Sequence, residues 1–162
     1  DDLFRPCLDA QISDSECFVK VTDSSLVAPE QQKWIDDQIE ARQSYMKVMA
    51  YNVGILGAMT RGKMPYDADL ASAAAANLNL AAQMNNGSMW PAGSDMDNHD
   101  DTVAKADLWQ NFSKAGGYLS DLSTTSAALA GEAGNGLGAL KASFSDVGKV
   151  CSGCHKAFRA KR

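Results

Sequence analysis

Cys151-Ser152-Gly153-Cys154-His155, close to the end of a chain of 162 residues, is the run from which the rest of the sequence is best read. Two thiols three positions apart, followed at once by an imidazole, form the attachment pattern for haem c. On one turn of a helix the two sulfurs can reach the vinyl groups on one edge of a porphyrin, while the next side chain turns under the ring. The run therefore implies a helix here, with Cys151 and Cys154 as thioether donors to one covalent haem c and His155 as the axial iron ligand. A bare Cys-x-x-Cys also serves thioredoxin-like redox pairs and half-sites for zinc. The first expects a βαβ setting and the second a further pair of ligands. Neither is present: the other histidine is His99, inside the acidic stretch Asp95-Met96-Asp97-Asn98-His99-Asp100-Asp101, and the other thiols, Cys7 and Cys17, stand near the start.

Working back from that run, the chain has the length of one domain with a real core and is too short for two comfortable ones. Hydrophobic residues make up 45% and charged residues 22%, with a formal net charge of -5. That balance excludes nucleic acid as a partner, because phosphate binding needs a basic face. It points to a basic or mixed patch on any protein partner, with an encounter weakened by salt. No apolar run approaches the ~20 residues that span a bilayer; the longest, from Leu70 to Met84, is interrupted by Ser72, Asn77, Asn79 and Gln83. The start, Asp1-Asp2-Leu3-Phe4-Arg5, lacks a basic and apolar leader, so an export signal is expected to have been removed already. Haem c attachment on the outer side of the bacterial inner membrane implies a periplasmic protein. Cys7 and Cys17 fit that oxidising compartment as a disulfide, worth about 2–3 kcal/mol by loop entropy.

Residues 1–28 carry Pro6 and no sustained helical period, and read as an N-terminal extension. At Pro29-Glu30 a helix start appears, and apolar residues then recur at steps of three and four through Trp34, Ile35, Ile39, Tyr45, Met46, Met49, Val53 and Leu56. Gly57 and the segment Arg61-Gly62-Lys63-Met64-Pro65 are expected to end that helix near Thr60. Asp67 reads as the cap of a second helix, Ala68 to about Met84, rich in alanine. A long loop follows, Asn85 to Asp101, of a length that usually covers something or remains mobile. Thr102 reads as the cap of a third helix reaching about Ala130, weakened at Gly116-Gly117, and a glycine-rich turn leads to a fourth, Leu137 to Lys161, that carries the haem run. Nothing reads as a strand. The expected fold is all-α, an antiparallel up-down-up-down four-helix bundle over residues 29–162 with residues 1–28 appended.

These residues resemble the cytochrome c′ family. Its members also place Cys-x-x-Cys-His near the C-terminus, followed by an aromatic and an Arg, here Phe158 and Arg159. Arg42-Gln43-Ser44-Tyr45-Met46 resembles the family's Arg-Gln segment in the first helix, Gly62-Lys63-Met64-Pro65-Tyr66-Asp67 its turn into the second, and Trp109 its Trp early in the third. The resemblance runs from Pro29 to Arg162. It implies that Arg159 lies near the proximal face of the haem, that Arg42 lies near a propionate, and that Met46 faces the distal side of the iron. It also suggests a homodimer built on the first two helices.

Function turns on Met46. A thioether on the iron gives Met/His ligation, which suits an electron carrier passing single electrons between periplasmic redox partners. A side chain that only blocks the site leaves a high-spin five-coordinate iron that admits NO or CO. Met49 is three positions on and is turned by about 300° round the helix. Peroxidase chemistry expects a distal acid–base group, and no His falls in the first helix, so the chain does not read as an enzyme. His99 reads as a solvated loop residue.

Overall fold

The computed structural model describes residues 29–161. The pairing expected for Cys7 and Cys17 lies outside them. Helix α1, Pro29–Thr60, buries the stripe Ile39, Arg42, Tyr45, Met49, Asn52, Leu56 and Met59. The steps of three and four keep these side chains on one face of the helix. Trp34, counted in the apolar pattern, is half exposed, and two polar residues, Arg42 and Asn52, take buried places in the stripe. Gly57 lies inside the helix rather than at its end. Gly62, at φ 68°, makes the left-handed turn that closes it, and Gly62 N–H and Lys63 N–H donate to the carbonyls of Met59 and Ala58.

Helix α2, Ala68–Gln83, starts where the sequence places it: Asp67 has extended backbone and its carboxylate accepts from Leu70 N–H at 2.8 Å. Its buried face is Ala71, Ala74, Ala75, Leu78 and Ala82. Small side chains let α2 lie close to α1 on one side and to the third long helix on the other.

The connection from 84 to 106 holds one 3-10 turn, Gly87–Met89. The expected cap at Thr102 is not one. A short helix α3, Asp107–Gln110, precedes the long α4, Phe112–Glu132, and Asn111 between them leaves helical geometry at φ -125° and ψ 41°. Its side chain donates to Asp107 O at 3.1 Å, a local bond that competes with the backbone ladder. Thr102 Oγ1 is engaged elsewhere, with Arg42 and with Ala104 N–H. Gly116 and Gly117 do not interrupt α4.

Helix α5, Leu137–Phe158, follows Gly136 at φ 108°. It stops three residues before the expected Lys161, because Arg159 turns extended and pairs with Ala104 in an isolated antiparallel bridge. The long helices neighbour one another in the cyclic order α1, α2, α4, α5, which is a four-helix bundle. Leu56, Met59, Leu78, Leu129, Leu140 and Val147 fill its centre. A smaller cluster of Leu108, Ala115 and Phe158, with Trp90, Trp109 and Tyr118 against it, closes the end where α5 carries the thiols. Among the described residues there is no strand, and no helix is long and apolar enough to cross a membrane.

Candidate functional site

The last two turns of α5 bring Cys151, Cys154 and His155 together. Cys151 packs against the central core and Cys154 against the end cluster, so the two half-buried sulfurs sit at the seam between them. The two sulfurs form no disulfide with each other, and burial pushes the pKa of each thiol up. Gly153 between them lies close under Tyr118: a β-carbon there would stand 3.0 Å from Tyr118 Cε1, a tight contact, and the Tyr118 ring in turn meets Phe158 edge-on at 6.3 Å. His155 stands on the outer face of the turn. Partial shielding from water, and then the charge of Arg159, hold its pKa below the ordinary histidine value. The neutral imidazole is the form that binds a metal ion.

Met46 is half-buried on α1 and belongs to the same cluster as Cys151, Phe144 and Val150, whereas Met49, its rival, is buried in the core proper. Arg159 is exposed; its backbone N–H donates to His155 O at 3.0 Å, the last bond of the helix, which ends three residues after the imidazole. Arg42 is more deeply placed than a residue at a cofactor's rim, being 3% exposed. Its Nη1 donates to Ser94 Oγ at 2.6 Å and to Met89 O at 3.4 Å, and its Nη2 donates to Ser94 O and to Thr102 Oγ1 at 3.0 Å. The rings of Trp90 and Trp109 lie 5.1 and 5.7 Å from the guanidinium carbon. Desolvation, offset in part by Asp95, pushes its pKa down to about 10.

Ser94, Thr102, Trp90 and Trp109 as partners of Arg42 were not read from the sequence; the one signal was the length of the loop, which covers this guanidinium. His99 is not solvated. Its side chain is 9% exposed, with Nδ1 3.3 Å from Gln32 Nε2 and 3.6 Å from Asp36 Oδ1 on α1. The end of the helix bearing the thiols and the segment after it are cationic, with Lys149 and Lys156 on the helix and Arg159 and Lys161 beyond it all exposed, although the chain as a whole is acidic.

Two unpaired thiols one helical turn apart, with a neutral imidazole directly after the second, fit a covalently held iron porphyrin. Arg42 forms no ion pair with a carboxylate among the described residues, and Asp95 favours its charge from a distance.

The comparisons cover the same ground. The family profile described as Cytochrome C′ matches residues 37–159. A cytochrome c′ of Cereibacter sphaeroides is 36% identical over 124 residues, 76% of this chain and 83% of the relative. The solved cytochrome c′ from Rhodobacter Spheriodes superimposes with a TM-score of 0.77 at 34% identity, covering 79% of this chain and 98% of that one. At 25% identity and a TM-score of 0.68, the chain also matches the nitric oxide complex of a leucine-to-alanine variant of cytochrome c prime from Alcaligenes xylosoxidans, over 79% of this chain and 97% of that one. Profile, sequence and fold agree over one helical body, and the chain belongs to the cytochrome c′ family, with one covalently attached haem c as its cofactor.

Proposed function

We propose that this protein is a periplasmic haem protein that binds NO or CO, with residues 29–162 as the haem-bearing unit. Cys151 and Cys154 would hold the porphyrin through thioethers and His155 would bind its iron, and the haem so held would supply an iron able to take up a small gas. Covalent attachment of this kind belongs to the outer side of the bacterial inner membrane, which supports the periplasmic assignment. Arg42 is a candidate partner for a propionate, and Arg159 keeps a positive charge beside His155.

Met46 is the gate. Its half-buried, unbranched side chain lies with Cys151 in one apolar cluster and screens the distal side from water. NO and CO need no polar pocket, and neither histidine lies on α1 to serve as a distal acid or base. The observation that carries the reading is the apolar setting of Met46, half-buried against the cluster that also holds Cys151, and the nitric oxide complex of the relative supports it. Titration of the ferrous protein with CO tests it: the Soret band is expected to shift with saturation, and a spectrum unchanged by excess NO and CO overturns it.

One observation favours a second reading: residue 46 is a thioether, able to bond iron and leave an electron carrier with Met/His ligation. The docking face would then be the cationic end of α5 with the segment after it, and its redox partner would present acidic groups, contrary to what the net charge alone implied. A low-spin spectrum with a methionine-to-iron band, lost in Met46→Leu, identifies that state.

A further inference from the structure

We infer that Arg42 is a positioning residue: it clamps the connection between α2 and α4 onto α1, and through that connection sets how far Met46 stands from the haem-bearing turn of α5. This rests on the reading of Met46 as the distal residue.

A guanidinium presents five N–H donors in a rigid fork. Four of those of Arg42 are directed at the connection, to Met89, Ser94 and Thr102, and the indoles of Trp90 and Trp109 stack against it. A leucine or methionine at position 42 would fill the buried stripe without the cost of desolvating a cation. What the arginine adds is the fork, which joins three points along the connection at one place on α1.

The chain beyond Thr102 then runs straight to the end of α5. Thr102 Oγ1 accepts from Ala104 N–H at 3.2 Å, Ala104 pairs with Arg159, Lys105 N–H donates to Phe158 O at 2.9 Å, and Ala160 N–H donates to Val103 O at 2.8 Å. Arg159 N–H closes the route on His155 O. Thus α1 is tethered to the residue after Cys154 by hydrogen bonds linked through short stretches of backbone. Met46 stands four residues after Arg42, one turn along α1 and on the same side, so it shares the anchoring point.

The test uses the haem-loaded protein and two variants. Arg42→Lys keeps the charge and loses the fork; Thr102→Val removes one acceptor, leaves Arg42 in place and is mild enough to fold. Amide exchange at Lys105 and Ala160 is expected to quicken at least about tenfold in both. The spectral balance between high-spin and low-spin forms, or the CO affinity, is expected to move in the same direction in both. Exchange within about twofold of the parent in Thr102→Val overturns the clamp. So does a spectral change in Arg42→Lys with Thr102→Val silent, which assigns Arg42 a direct electrostatic role. If exchange quickens and Met46→Leu alters the spectrum while both clamp variants leave it unchanged, the link to Met46 is refuted. If Met46→Leu also leaves it unchanged, the distal reading of Met46 fails and the proposal fails with it.

Discussion

One thioether is enough to keep a porphyrin on a chain, so Cys151→Ser and Cys154→Ser should each retain haem through acid–acetone extraction. The double variant should release it. Mass spectrometry of the extracted polypeptide checks this, and haem retained by the double variant would refute the attachment. These residues stand out in the sequence because the attachment pattern fixes type and spacing within five positions, and the structure puts them on one stretch of helix. The same holds for His155. Arg42 is the contrary case. Its sequence neighbourhood marks it as a residue near haem, but its burial depends on Ser94, 52 positions away, and on two indoles that no local pattern links to it. Core leucines lie between these extremes. Leu129 has no exposed surface, and Leu129→Ala should cost about 2–5 kcal/mol in urea unfolding, since the packed neighbours can close only part of the cavity. A loss below 1 kcal/mol would mean that the centre of the bundle is loosely packed.

Helix boundaries were readable where a local signal set them and misread where a distant contact did. Asp67 caps α2 through a bond to a residue three positions on, so the sequence carries it. Asp67→Ala should destabilise the fold by about 1 kcal/mol. The missing helix start after Thr102 and the early end of α5 have one cause: residues 103–105 pair with 158–160, and a bridge between segments so far apart leaves no trace in helical periodicity. Tyr66 shows the same effect at the opposite end of the bundle. Its hydroxyl donates to Ala133 O at 2.9 Å and accepts from Gly136 N–H at 2.9 Å, which joins the α1–α2 turn to the α4–α5 turn. Tyr66→Phe removes both bonds and little volume, and a loss of about 1–2 kcal/mol is expected by chemical denaturation. An unchanged midpoint would show that water replaces the hydroxyl fully.

The outer surface of α1 and α2 is where the molecule as a whole is least self-sufficient. Val48, Tyr51, Leu80 and Met84 are 54%, 70%, 67% and 43% exposed, and they line one open groove with Asn52, Asn77, Ala81 and Gln83. A contiguous apolar patch ringed by uncharged amides marks an interaction surface. It carries no charge of its own, so a second copy related by a two-fold axis meets it without repulsion, and aromatic and methionine side chains favour such contacts. The haem run is on α5, so the face can close without covering the attachment turn. We therefore expect the haem-loaded protein to sediment as a dimer at micromolar concentration, and the pair Tyr51→Lys and Leu80→Lys to sediment as a monomer with an unaltered visible spectrum. Lysines on a solvated face disturb little within the bundle, so the double variant should keep its unfolding midpoint. A parent protein that is monomeric across the concentration range would leave this groove without a second copy as its occupant.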